Sequence, residues 1–111
     1  MTDDLDRKRT RYQLVLQRRS SAPAAFDEMV HLEERLAAAI DELGIVDGHD
    51  VGAGEVNIFI LTAHPTQVFE RIKLLPEVSR LLPQLQVAFR IVGSEAFEIL
   101  HPPGLRTFKL A

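Results

Sequence analysis

The segment most suggestive of chemistry is residues 47–55, with the sequence DGHDVGAGE. It places the carboxylates of Asp47, Asp50 and Glu55 and the imidazole of His49 among three glycines, directly ahead of the most hydrophobic stretch of the chain. Carboxylates and imidazole together bind divalent metals and carry out acid and base chemistry. These four side chains are therefore the candidates for binding a ligand or a partner.

The same composition is also typical of a wide hairpin, in which Asp and Gly are required by the turn and His49 is exposed. The segment fails the tests for specific sites. A calcium-binding EF-hand loop beginning at Asp47 needs Asp or Asn at its third position and Glu at its twelfth, where His49 and Ile58 stand. Residues 52–54 lack the third glycine of a dinucleotide fingerprint, and no lysine follows them as in a phosphate-binding loop. We assign no metal, no cofactor and no catalytic residue.

The remaining residues that could do chemistry are scattered along the chain. The four histidines, His31, His49, His64 and His101, fall in different predicted elements and form no short ligand pair. The chain has no Cys, which excludes disulfides, thiolate metal ligands and a cysteine nucleophile, and its serines lack a G-x-S-x-G elbow. The sequence leaves enzymatic activity open and favours a non-enzymatic role.

The net charge is −3, but the charged residues are distributed unevenly along the chain. Residues 7–19 contain six bases and no acid, whereas residues 27–55 contain nine acids against one base, Arg35. Charge runs are usually solvated surface, but such asymmetry also steers a charged partner. Our first hypothesis is a protein that acts by interaction or regulation, such as an immunity-type inhibitor, and that presents the acidic residues 27–55 to a basic protein. The alternative is a small-molecule or metal-binding domain with its polar site at residues 47–55.

Other partners and locations are constrained by composition. The six bases of residues 7–19 are compatible with nucleic-acid binding. However, the predicted strands lack the aromatic-rich basic octamer that stacks bases, and the pI is about 5.8. We therefore expect no nucleic acid. No apolar run approaches the ~20 residues that span a bilayer, and the first residues do not resemble a signal peptide. We expect no membrane partner and a cytoplasmic location.

Hydrophobic periodicity predicts one domain at residues 11–111 after a flexible tail at residues 1–10. Alternating or continuous apolar runs predict strands at residues 12–17, from 45, and at 55–62, 86–92, 96–100 and 107–110. Apolar stripes at helical spacing predict helices at residues 23–43 and 65–82, the first stopped by Gly44 and the second interrupted at Pro76. The glycines of residues 51–54 predict the bend of a hairpin.

This order of elements predicts an α+β fold, a ferredoxin-like βαββαβ two-layer sandwich with an additional C-terminal strand or hairpin. Residues 58–61 are all apolar, so their strand would leave side chains exposed on the sheet face that carries no helices. A second copy of the chain, bound through the open sheet face or an edge, would cover them, and we therefore predict a homodimer.

Residues 47–76 and 94–110 together resemble a set of small uncharacterised bacterial proteins. The resemblance is carried by the D-G-x-x-x-G-x-G-E hairpin before a hydrophobic strand and by the closing stretch FEILHPPGL at residues 97–105. It covers about half of the chain. The resemblance implies a ferredoxin-like domain with an accessory role in immunity or stress, and it implies no catalytic residue.

Overall fold

The computed structural model describes residues 11–20 and 22–110, and the predicted tail lies outside them. In this part of the chain an antiparallel sheet carries helices on one face, so the α+β class is confirmed. The strands are β1 Tyr12–Arg18, β2 Gly44–Gly52, β3 Glu55–Thr62, β4 Leu85–Ile91 and β5 Glu98–His101. The helices are α1 Pro23–Ile40, α2 Pro65–Ile72 and α3 Pro76–Leu81, with single 3-10 turns at Asp41–Leu43 and Leu82–Gln84.

The sheet has the order β2-β3-β1-β4-β5, with every neighbouring pair antiparallel. In the central strand β1, Leu14 and Leu16 face the helices, as the alternation of the sequence predicts, while Val15 and Gln17 face the other side. We call this other side the back face. The core between helices and sheet consists of almost fully buried side chains, among them Met29, Leu32, Leu36, Ile40, Ile58, Ile60, Val68, Ile72 and Val87.

The junction between α1 and β2 differs from the prediction. Helix α1 ends at Ile40, three residues early, because Asp41 adopts a positive φ of 45°. Gly44 is extended, with φ of 175°, so it is not a left-handed helix stop. A Cβ at Gly44 would lie 2.6 Å from the backbone oxygen of Leu61. Glycine is therefore needed here because β2 approaches β3 too closely for any side chain.

The C-terminal segment also departs from the prediction. Residues 107–110 form no strand; they lie against the back face, where Phe108 is buried with Val15 and Ala88. A period of two describes any extended segment that turns alternate side chains toward a surface, so Phe108 and Leu110 fit a strand pattern without pairing as one. The back face is thus partly covered by the chain itself.

This cover weakens the argument that led to the homodimer. Ile58 and Ile60 point into the helix-side core, while Phe59 packs partly buried against the cluster beneath Phe108. Ile45 is 46% exposed, and its register partner Leu61 is partly buried. The back face therefore keeps open apolar surface at Ile45 on β2.

None of the helices in the described ranges combines the length and hydropathy needed to cross a membrane.

Candidate functional site

The predicted site, residues 47–55, lies mostly within edge strand β2 and closes in a two-residue turn at Ala53 and Gly54 before β3. The hairpin bend is therefore confirmed, but its turn is two residues shorter than the predicted bend at residues 51–54. Ladder pairing passes from Val46 directly to Gly48, so Asp47 is the extra residue of a β-bulge, and it is exposed. Gly48 has φ of 106°, a conformation that glycine adopts without strain.

The bulge sets which way the following side chains point. His49 pairs with Ile58 and lies on the helix side of the sheet. Its Nδ1 is 2.8 Å from Oε1 of Glu33 on α1, and its ring meets that of Phe26 edge to face with centroids 5.8 Å apart. His49 thus contributes to the contact between α1 and β2.

Asp50 and Glu55 lie on the back face, where they join a polar cluster. Asn57 donates from Nδ2 to Oδ1 of Asp50 at 3.0 Å and to Oε2 of Glu55 at 2.9 Å. Gln17 donates from Nε2 to the same Glu55 oxygen at 3.1 Å, to Oδ1 of Asn57 at 3.0 Å and to the backbone oxygen of Lys109 at 2.8 Å. Gln17, Glu55 and Asn57 are all buried, so this network satisfies polar groups that water does not reach.

The four sequence candidates are therefore not brought together as one group. Asp47 stands alone on the bulge, His49 belongs to the helix side, and only Asp50 and Glu55 share a cluster, through Asn57. Across residues 11–20 and 22–110, no three His, Cys, Asp or Glu side chains gather as a metal site would require.

Sequence reasoning missed the centre of this cluster, Gln17 and Asn57. The available signal is the presence of an amide next to apolar neighbours in each of the paired strands β1 and β3, because a buried amide must find hydrogen-bond partners. What no pattern reveals is that the backbone of Lys109 supplies one of those partners.

Five acids along α1 and the turn after it fall into two groups. Glu28 pairs with Arg18 at 2.7 Å and Glu33 with His49 at 2.8 Å, so these acids serve contacts inside the fold. A second group, Asp27, Glu34 and Asp41, recurs every seven residues along α1 and the turn that follows it, opposite the buried stripe, and all three are exposed. We call these three residues the acidic stripe.

A groove of about 220 Å³ opens beside the first turns of α1, between this helix and α3. Buried Leu32 and Leu81 form its floor. Charged and polar side chains form its rim: Asp27, Glu28, His31, Glu77 and Arg80. The groove therefore combines an apolar base with an edge that holds carboxylates of both helices.

Glu77 is the member of this rim whose titration is perturbed. Hydrogen bonding to its own backbone at the start of α3 lowers the pKa of its carboxyl below the ordinary 4.5, and burial opposes this shift. Arg35 lowers the pKa further, with Nε 2.9 Å from Oε2. Glu77 is thus held in its charged form at the groove.

Comparison of the chain with models of known protein families, with curated proteins and with solved structures found no significant match. The structure itself defines the class, an α+β domain with an internal polar cluster on one side of the sheet and an acidic helix surface on the other.

Proposed function

We propose that this protein is a non-enzymatic interaction domain that binds a basic protein through the exposed face of α1. The observation that carries the proposal is the acidic stripe. Asp27, Glu34 and Asp41 form no ion pair with any other residue that the structure describes, whereas Glu28 and Glu33 are paired inside the fold.

The spacing of the stripe suits an extended partner surface. Asp41 lies fourteen positions after Asp27, which at 1.5 Å per helical residue is about 20 Å. Three carboxylates spread over that length match basic side chains on a partner helix or strand better than they match one small ion. The groove at the end near Asp27 adds an apolar floor, on which the aliphatic stem of a Lys or Arg side chain would pack.

Charge complementarity of this kind acts mainly on encounter and specificity. Each exposed ion pair contributes little, typically below about 1 kcal/mol, because water and salt screen it. The summed field steers a basic partner toward α1 and raises the association rate. Binding through the stripe should therefore weaken steeply as salt is added.

The place of the interface differs from the sequence hypothesis. That hypothesis spread the surface over residues 27–55, but Asp50 and Glu55 lie on the back face, on the other side of the sheet from α1. The proposal keeps the basic partner and restricts the surface to α1. An immunity-type inhibitor of a basic toxin is one protein of this kind.

The ferredoxin-like relationship belongs to the same proposal. Its support is the neighbour order β4-β1-β3-β2 among the first four strands, with helices on one face and β5 added beside β4. A ferredoxin-like fold hosts many unrelated functions, so the argument for binding rests on the acidic stripe alone.

A charge-matched pair of variants tests the proposal. Asp27→Asn, Glu34→Gln and Asp41→Asn together remove the stripe, while Asp47→Asn, Glu95→Gln and Glu98→Gln remove three exposed acids elsewhere and give the same net charge. With a decalysine peptide as the basic probe, calorimetric titration should show roughly tenfold weaker binding for the stripe variant, equivalent to ~1.4 kcal/mol. The control should stay close to the wild type. Equal weakening of both variants would show attraction by net charge only and would overturn the proposal.

A further inference from the structure

A second binding feature lies on the back face, around Arg90 of β4. Its guanidinium carbon sits 4.8 Å from the ring centroid of Phe97. Two adjoining cavities of about 260 and 380 Å³ open on either side, and Arg90 and Phe97 line both. The pair therefore stands between two spaces large enough for a small ligand.

Arg90 is held in place from several directions. Its Nε donates to Oε1 of Gln13 at 2.9 Å, and Nη1 reaches the backbone oxygen of Ser94 at 3.4 Å. The cation–π contact with the Phe97 ring adds a third restraint on the guanidinium. Its Nη2 makes no hydrogen bond with any of the described residues, so this nitrogen is left to donate to a ligand.

The residues that line the smaller cavity suit an anion that carries an apolar group. Phe97 and the buried Phe108 supply its aromatic surface, with their ring centroids 4.8 Å apart. Arg90 and Lys109 supply two positive charges, and the ammonium of Lys109 forms no ion pair within the described part of the chain. Glu95 is the one acid that lines it.

We propose that this cavity binds a small aromatic carboxylate. The Nη2 of Arg90 would donate a charge-assisted hydrogen bond to the ligand carboxylate, and Lys109 adds a second, mobile charge. An aromatic ring in the cavity would pack against the Phe97 and Phe108 rings, where offset or edge contacts are favourable. At about 260 Å³ the cavity is at the small end of ligand sites, which limits the ligand to a single ring.

The site is separate from the one proposed on α1. Arg90 pairs in register with Gln13 on the back face, whereas the acidic stripe is on the helix side. Lys109 also provides the backbone oxygen that Gln17 binds, so a ligand held by its side chain would secure the C-terminal segment on the sheet.

The test uses the full chain and benzoate, with benzamide as a neutral analogue of the same shape and inorganic phosphate as an anion without a ring. Titration up to about 10 mM, followed by calorimetry and by the ring resonances of Phe97 and Phe108, covers the millimolar affinities typical of such small ligands. We expect benzoate to bind and to shift both rings, benzamide to bind at least about tenfold more weakly, and phosphate to leave the rings unshifted.

Three variants assign the binding. Arg90→Gln should weaken benzoate roughly tenfold and Lys109→Gln severalfold, while Arg106→Gln, which removes a charge from the same segment outside the cavity, should leave it unchanged. If Arg90→Gln lowers stability as well, exposed Lys109 keeps the assignment testable, because its side chain supports no other described contact. Absence of benzoate binding, equal binding of benzamide, ring shifts caused by phosphate, or equal affinity in Arg106→Gln and Lys109→Gln would each overturn the proposal.

Discussion

Gln17 and Lys109, separated by 92 positions in the chain, are joined by a 2.8 Å hydrogen bond from the side-chain Nε2 of Gln17 to the backbone oxygen of Lys109. Gln17 is fully buried in the central strand β1. The bond therefore fastens the C-terminal segment to the middle of the sheet, and through Asn57 it extends to the hairpin that holds Asp50.

Replacing Gln17 should lower the stability because its side-chain amide satisfies buried polar groups on two other segments of the chain. In Gln17→Ala the backbone oxygen of Lys109 and the side-chain oxygen of Asn57 lose their donor inside the protein, and an unsatisfied buried group costs about 1–3 kcal/mol. We expect the free energy of unfolding to fall by about 2 kcal/mol in urea titration. Gln86→Ala is the matched control, because Gln86 lies opposite Gln17 on β4 and its side chain makes no hydrogen bond with the described residues; it should change stability by less than ~0.5 kcal/mol. Similar losses in the two variants would contradict a structural role for the Gln17 bond.

Two glycines of β2 should respond oppositely to a methyl group. Gly44→Ala brings Cβ to 2.6 Å from the Leu61 backbone oxygen, which cannot move without opening the strand pair, so we expect a loss of about 1–3 kcal/mol. Gly52→Ala meets nothing within 4 Å and has no positive φ, so its stability should be close to that of the wild type or slightly higher. Thermal unfolding of both variants measures the difference. An Ala at position 44 that leaves the melting temperature unchanged would show that β2 and β3 are further apart than described.

Glu77 should make stability depend on pH in the acid range. Its pKa is lower in the folded protein than the ordinary 4.5, so the unfolded chain takes up the proton first as pH falls. The stabilisation is therefore complete well above pH 4.5 and is lost as pH drops through the folded pKa. Unfolding free energies of wild type and Glu77→Gln should converge in acid, and Arg35→Gln should reduce the pH dependence because it removes one cause of the shift. A constant difference between wild type and Glu77→Gln from neutral pH to acid would contradict this assignment.

The homodimer remains a prediction, now with a defined contact. Near the β2 edge of the back face Ile45 is exposed and its register partner Leu61 is partly buried, while Phe108 lies over the middle of the sheet. Sedimentation equilibrium should show a dimer, and Ile45→Ser should raise its dissociation constant about tenfold. A wild-type chain that stays monomeric at all accessible concentrations would rule out self-association.

The elements were predictable from the sequence where local pattern and tertiary role agree. Strand β3 has the predicted bounds Glu55–Thr62, and Pro76 divides the second helical region as its fixed φ and missing N–H require. The alternation of β1 correctly placed Leu14 and Leu16 in the core. These signals depend only on residues close together in the chain, so they can be recognised without knowing which other elements pack against them.

The failures arise where a distant contact decides the structure. The glycine at position 44 reads as a helix stop, but its role is set by Leu61 of a neighbouring strand. Phe108 reads as part of a strand, but its burial depends on Val15 and Ala88 on the sheet. The bulge at Asp47 shifts the alternation of the residues after it by one position, so that His49 faces the helices and Asp50 the back face, and no spacing rule reveals this shift.

The composition of residues 27–55 correctly drew attention to acidity, but it could not show which acids are engaged. Glu28 and Glu33 differ from Glu34 only in which way the helix turns them. In the structure, the seven-residue spacing puts the acidic stripe on the exposed side of α1 and the turn after it. The candidate surface is therefore on α1 and not at the hairpin.

The most direct test of this account is to map where a basic probe binds, by titrating decalysine into the isotopically labelled chain and following the backbone amide resonances. The account predicts that the largest shifts cluster on α1 and the turn after it, around Asp27, Glu34 and Asp41, and that they diminish as salt screens the charges. Shifts concentrated at residues 47–55, or spread evenly over every exposed acid, would contradict it.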